Sequence, residues 1–102
     1  MTQLFQAGFA SAEVEKRFTK YLDALDQKSA RQVRDRMTGL GIEPRPAGKS
    51  VRRLKPPVAA FKYLAQYRMR VGDHRVLFDI DDAAKRVIFL DIRRRNERTY
   101  DD

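Results

Sequence analysis

Two apolar periods share this chain, and the point where one gives way to the other constrains its fold more than any single motif. Val14, Phe18, Tyr21, Leu22 and Leu25 form a stripe at i, i+4, i+7, i+8 and i+11, with Lys16, Arg17, Lys20 and Asp23 outside it. Ala30, Val33, Met37 and Leu40 repeat the stripe, while Arg31, Arg34 and Arg36 face elsewhere. Ser11 and Asp26 are the expected N-caps, and Glu13 and Glu15 fall in a first turn, where the helix dipole favours negative charge. From residue 61 the pattern is that of strands: Tyr63 to Val71, His74 to Ile80 and Arg86 to Ile92 are rich in aromatic and β-branched residues. Gly72-Asp73 and Asp81-Asp82-Ala83-Ala84 suit hairpin connections between them.

Leu4 to Phe9 reads as a further strand before the helices. Gly39 and Gly41 offer left-handed backbone for the end of the second helix, and Pro44 and Pro46 forbid its continuation. Residues 41–60, with Gly48, Pro56 and Pro57, read as an irregular basic connection. The expectation is an α+β domain: an N-terminal strand, an antiparallel two-helix hairpin, and a three-stranded antiparallel meander whose one face the helices cover. At 102 residues the chain holds a single domain, 1–102.

Charge points to the partners. The net charge is +8, and the second half carries more of it: residues 51–102 hold 13 Lys/Arg against 8 Asp/Glu (+5), residues 1–50 hold 9 against 6 (+3). Such a surplus on a small body attracts polyanions or an acidic protein. The absence of cysteine excludes disulfides and thiolate metal sites. No window approaches the length of a membrane span and the amino terminus lacks a signal pattern, so a cytoplasmic protein without membrane contact is expected.

Alternation in a strand places Arg68 and Arg70 on one face and Tyr67, Met69 and Val71 on the other. The two guanidiniums lie roughly 7 Å apart, close to the spacing of successive phosphates along a single strand. Arg75, just past the turn, is placed to join them. Arg93, Arg94, Arg95 and Arg98 follow near the chain's end with Tyr100, adding arginine forks for phosphate and a ring that stacks on an unpaired base. Arg52, Arg53 and Lys55 add further phosphate-binding positions. Each arginine taken singly reads as solvated surface; clustered, they read as a site. Tyr67, Phe78 and Phe89 read as core. His74, the lone histidine, has no local orienting partner but Asp73, and alternation turns it away from Arg75, so it receives no catalytic role. Asp79, Asp81, Asp82 and Asp91 match no metal-binding loop and read as turn or edge residues. Neither a metal nor a cofactor is expected.

The stretch from Tyr67 to Asp81, with its arginines, Gly-Asp turn and following Arg75 and apolar run, resembles the central block of the RelE/ParE toxin superfamily. The order of the whole chain is similar too: helical hairpin, Arg52-Arg53-Leu54-Lys55, central block, Val87-Ile88-Phe89-Leu90, then a basic segment ending in tyrosine. The resemblance implies the toxin of a type II toxin–antitoxin system, held in check by a cognate antitoxin. In the RelE-like branch, which it favours, the toxin is a metal-independent endoribonuclease that cuts mRNA on the ribosome. Arg68, Arg70, Arg75, Arg94 and Tyr100 stand at that branch's catalytic positions, around a charged transition state that fixed cations stabilise. Arginine replaces lysine at positions 68 and 70, and Arg93 stands where many relatives carry histidine, so the proton acceptor stays open. Two alternatives remain: a ParE-like inhibitor of DNA gyrase without nuclease chemistry, and a non-catalytic RNA-binding module.

Overall fold

The computed structural model describes residues 4–46 and 48–94. In chain order the elements are β1 (Gln6–Phe9), α1 (Ala12–Asp23), α2 (Gln27–Gly39), β2 (Val51–Ala60), β3 (Tyr63–Val71), β4 (His74–Asp81) and β5 (Arg86–Arg94). The strands form one sheet in the order β1-β5-β4-β3-β2, with β1 parallel to β5 and every other pairing antiparallel. This is the expected α+β arrangement, with one strand more than the sequence pattern indicated.

Both helices start at the expected caps. The Ser11 hydroxyl accepts from the Val14 amide at 3.2 Å, and the Asp26 carboxylate accepts from the Ser29 amide at 3.1 Å. The two apolar stripes then pack on one face of the sheet. Val14, Phe18, Leu22, Ala30, Val33, Met37 and Leu40 meet Met69, Val71, Val76, Phe78, Val87, Phe89 and Ile92 in the main core. Phe18 is its centre, with ring centroids 5.0 Å from Phe9 and 6.1 Å from Phe89.

The expectation that residues 41–60 form an irregular connection is corrected from Val51 onward, where the chain is strand β2 and the antiparallel meander has four strands. Proline concealed it. Pro56 and Pro57 fall where the β2–β3 register shifts, between Arg53 and Val58, on the edge strand of the sheet. There a missing N–H takes nothing from a ladder. The left-handed backbone expected at Gly39 and Gly41 is also absent: the glycines with positive φ are Gly48 and Gly72. Gly41 serves close approach instead. Its carbonyl accepts from the Phe5 amide at 2.8 Å, and a Cβ there would stand 3.2 Å from the Phe5 carbonyl oxygen. Gly72, with φ 58°, occupies the first position of the two-residue β3–β4 turn, which fits the strand twist.

The β2–β3 hairpin does not lie flat. The Ala59 carbonyl accepts from the Arg93 guanidinium of β5 at 2.9 Å, and Phe61, in the turn between β2 and β3, lies 3.3 Å beneath the Arg17 guanidinium of α1. The hairpin therefore bends across the sheet face turned away from the helices. Leu54, Ala60, Ala65, Leu77 and Leu90 are buried there as a second, smaller core. The part of that face left to the arginines lies at the β3–β4 turn.

Candidate nucleic-acid interface

Register builds the site. On β3 and β4, Arg70 stands opposite Arg75, and on β4 and β5, Arg75 stands opposite Arg93. Directly opposed residues project from the same face, so three arginines from three neighbouring strands form a row across the sheet. The next row holds Arg52, Arg68, Leu77 and Asp91 in the same way. Like charges placed opposite one another destabilise a sheet, so a row of three cations is a feature folding alone would not favour.

Arg68 and Arg70, two residues apart, hold different positions. Arg68 is 1% exposed, and one of its terminal nitrogens donates to the carbonyls of Lys49 and Ser50 at 3.1 and 2.8 Å. It ties the segment before β2 to the sheet. Arg70 is half-buried, with its backbone amide on the Ser50 carbonyl at 2.8 Å and its Nε hidden without a hydrogen-bond partner among the described residues. Arg75 is 4% exposed, so a ligand approaching the row meets Arg70 and Arg93 on its flanks first.

Arg93 is aimed by its neighbours. Its Nε donates to Asp91 Oδ2 at 2.7 Å while a terminal nitrogen takes the Ala59 carbonyl, which fixes the plane of the guanidinium. Asp91, read from sequence as an edge residue, is thus part of the site. The signal was present: an acidic and a basic residue two apart on a strand share a face.

Arg94 belongs to the other side. It pairs with His74, which pairs with Val71, on the face that α1 covers. There the Tyr21 hydroxyl and His74 Nδ1 are 2.8 Å apart, with the rings edge to face. Burial, and then the Arg94 charge, hold the His74 pKa below its ordinary value, while burial raises that of Tyr21. The neutral imidazole is a buried companion of Tyr21, turned away from the arginine row as alternation required. Arg52, Arg53 and Lys55 are all exposed; Arg52 shares a row with Arg68, whereas Arg53 pairs with Tyr67 on the opposite face. Arg95, Arg98 and Tyr100 lie outside the described residues. Phe78 and Phe89 are core, and Tyr67 stacks on Phe78 at 5.7 Å.

Among the described residues no group of acidic, histidine or cysteine side chains is arranged to hold a metal ion, and no helix is long and apolar enough to cross a membrane. The groups the described row offers are guanidiniums, whose chemistry is that of forked, permanently charged hydrogen-bond donors to oxyanions.

Comparison with known proteins gives a consistent result. The family model described as the ParE toxin of type II toxin–antitoxin systems, parDE, matches residues 11–99. No curated protein matches. Among solved structures, the archaeal RelE–RelB complex from Pyrococcus horikoshii OT3 is similar with a TM-score of 0.69 at 23% identity, covering 93% of this chain and 99% of that one. The toxin–antitoxin complex RelBE2 from Mycobacterium tuberculosis gives 0.61 at 21% identity, over 91% and 100%. A mutant of E. coli toxin RelE in the free state, with two arginines replaced by alanine, gives 0.54 at 12% identity, over 93% and 86%. At these identities the structures speak for the fold.

Proposed function

We propose, from the premise that this chain belongs to the ParE toxin family of type II toxin–antitoxin systems, that it acts on RNA through the row Arg70–Arg75–Arg93 and is an mRNA endonuclease working on the ribosome. The observation carrying this reading is the row itself: three opposed cations on one sheet face, one of them oriented by Asp91 and a backbone carbonyl. A 2′-hydroxyl attacks the adjacent phosphorus, the O2′–P bond forms, the P–O5′ bond breaks, and the guanidiniums hold the charge that gathers on the equatorial oxygens. The attacking hydroxyl's proton is assigned to Tyr100 or to a group of the ribosome, because arginine stays protonated at neutral pH. The leaving 5′-oxygen takes up a proton. Arg68 contributes by holding residues 49 and 50 against the sheet, and Arg94 by its field at the Tyr21–His74 pair. A cognate antitoxin, of the kind bound in the Pyrococcus and Mycobacterium complexes, is the regulating partner.

A second reading has its own support. Asp91 is the carboxylate opposite Leu77 in the neighbouring row, and it is engaged with Arg93; the described row itself consists of arginines, a residue type that stays protonated at neutral pH. That composition suits a surface that binds its target without chemistry, as a gyrase inhibitor would. Expression without antitoxin separates the two. Messages cut in register with codons at the ribosomal A site are expected; intact messages with blocked DNA supercoiling would replace the nuclease reading by the second one.

A further inference from the structure

The bent β2–β3 hairpin leaves a pocket of about 520 Å³ between its turn and the far ends of β4 and β5. Tyr63, Leu64, Ile88 and Leu90 form its apolar wall, and Lys62 and Arg86 stand beside them. Its carboxylate, Asp79, accepts from the Ile80 amide at 2.8 Å. Leu64 is 59% exposed and Phe61, three residues earlier, 55%. Two of the four large apolar residues exposed among the described residues thus sit within four residues of each other, at the β2–β3 turn and the start of β3, a concentration characteristic of a surface meant to be covered. The walls are mainly aliphatic, so they suit aliphatic side chains better than the flat ring of a base.

We propose that this pocket is an anchor site for the antitoxin: an acidic, amphipathic segment places an aliphatic side chain between Leu64, Ile88 and Leu90 and its carboxylates toward Lys62 and Arg86. The inference rests on the toxin–antitoxin reading and adds to it a place of contact separate from the arginine row. Charge complementarity supports the occupant. Two cations flank the pocket, the chain carries net charge +8, and Arg93, whose guanidinium holds Ala59 of the same hairpin, extends the positive surface toward the row. Residues 95–102 read Arg-Asn-Glu-Arg-Thr-Tyr-Asp-Asp and contain no aliphatic side chain of the kind the pocket wall suits. A segment that spans pocket and row would block the row while its apolar contact sets how long it stays.

The test uses the full chain with the antitoxin encoded in the adjoining reading frame, labelled with a fluorophore, and measures affinity by anisotropy. Leu64→Glu, at an exposed position where folding is not at stake, should weaken binding at least tenfold, and Leu64→Met should restore most of it. Lys62→Glu and Arg86→Glu should each weaken it several-fold, with the loss shrinking at high salt. Toxicity without antitoxin should be unchanged in all of them. If wild-type affinity persists in Leu64→Glu while Arg34→Glu, in the groove between α2 and β1, abolishes binding, the anchor is elsewhere and the inference falls. Loss of toxicity with intact antitoxin binding would give the pocket to the target and overturn it as well. An antitoxin that does not bind the wild-type chain at all would bring down the toxin–antitoxin pairing along with it.

Discussion

Replacing Arg70 by methionine keeps much of the aliphatic stem and removes one cation from a row in which it faces another. Like charges on directly opposed residues destabilise a sheet by up to about 1 kcal/mol. Arg70 is half-buried, so solvent screens part of this, and relief of up to about 1 kcal/mol is the expectation. The buried Nε without a hydrogen-bond partner adds to the gain in the same direction, since its desolvation is then no longer a cost of folding. Arg70→Met should therefore stabilise the fold by about 1 kcal/mol and raise Tm by about 4–8 °C, against the usual sign for a point substitution. It should also lose a phosphate contact, making the slope of log affinity against log salt shallower by about 0.7 for single-stranded RNA. Urea unfolding gives the first quantity, and fluorescence anisotropy with labelled RNA at several salt concentrations gives the second. A variant less stable than wild type with an unaltered salt slope would refute the reasoning, because Arg70 would then be a structural residue.

The neighbouring substitution Arg68→Met should go the other way, lowering stability by about 2 kcal/mol in the same urea experiment, because the Lys49 and Ser50 carbonyls lose a charged donor. Phe18→Ala should cost about 3–5 kcal/mol, measured likewise, from the cavity left among Phe9, Phe89 and the helix stripe. His74 has a folded pKa below the ordinary 6.5, so below that value the unfolded chain takes up a proton that the folded one refuses. Stability should fall as pH drops from 6.5 toward the folded value, and His74→Gln should flatten the Tm profile across that window. Asp91→Asn should free the Arg93 fork and weaken RNA binding with little change in Tm, because the Arg93–Asp91 pair is partly open to solvent; a large Tm loss at unchanged affinity would make the pair structural.

Periodicity disclosed the helices, their caps and three of the strands, because both depend on neighbours a few residues away. β2 was hidden by Pro56 and Pro57, since local rules cannot know that a proline will fall at a register shift on an open edge. Gly41 was read as a helix terminator, while its reason for being glycine is Phe5, a contact 36 residues away along the chain. In the site, Arg70 and Arg75 followed from alternation around a short turn. Which of Arg93 and Arg94 would join them did not, because that depends on the extra residue that shifts the β4–β5 register between Leu77 and Phe78. The meeting of Asp91 with Arg93, two residues apart on one strand, was legible from alternation alone.

The pairing of β1 with β5 reaches beyond stability. The first strand has its ladder partner in the last, and the third member of the arginine row arrives on that same last strand. A polypeptide emerging from the ribosome can close the helical hairpin early, since its contacts are local, but it cannot complete either the sheet or the row until Arg93 has been added. Completion of the row and of the sheet are thus reached in the same step of synthesis. A truncated product ending before β5 would lack both, and a cell making this chain has the whole time of its translation in which to have the antitoxin waiting.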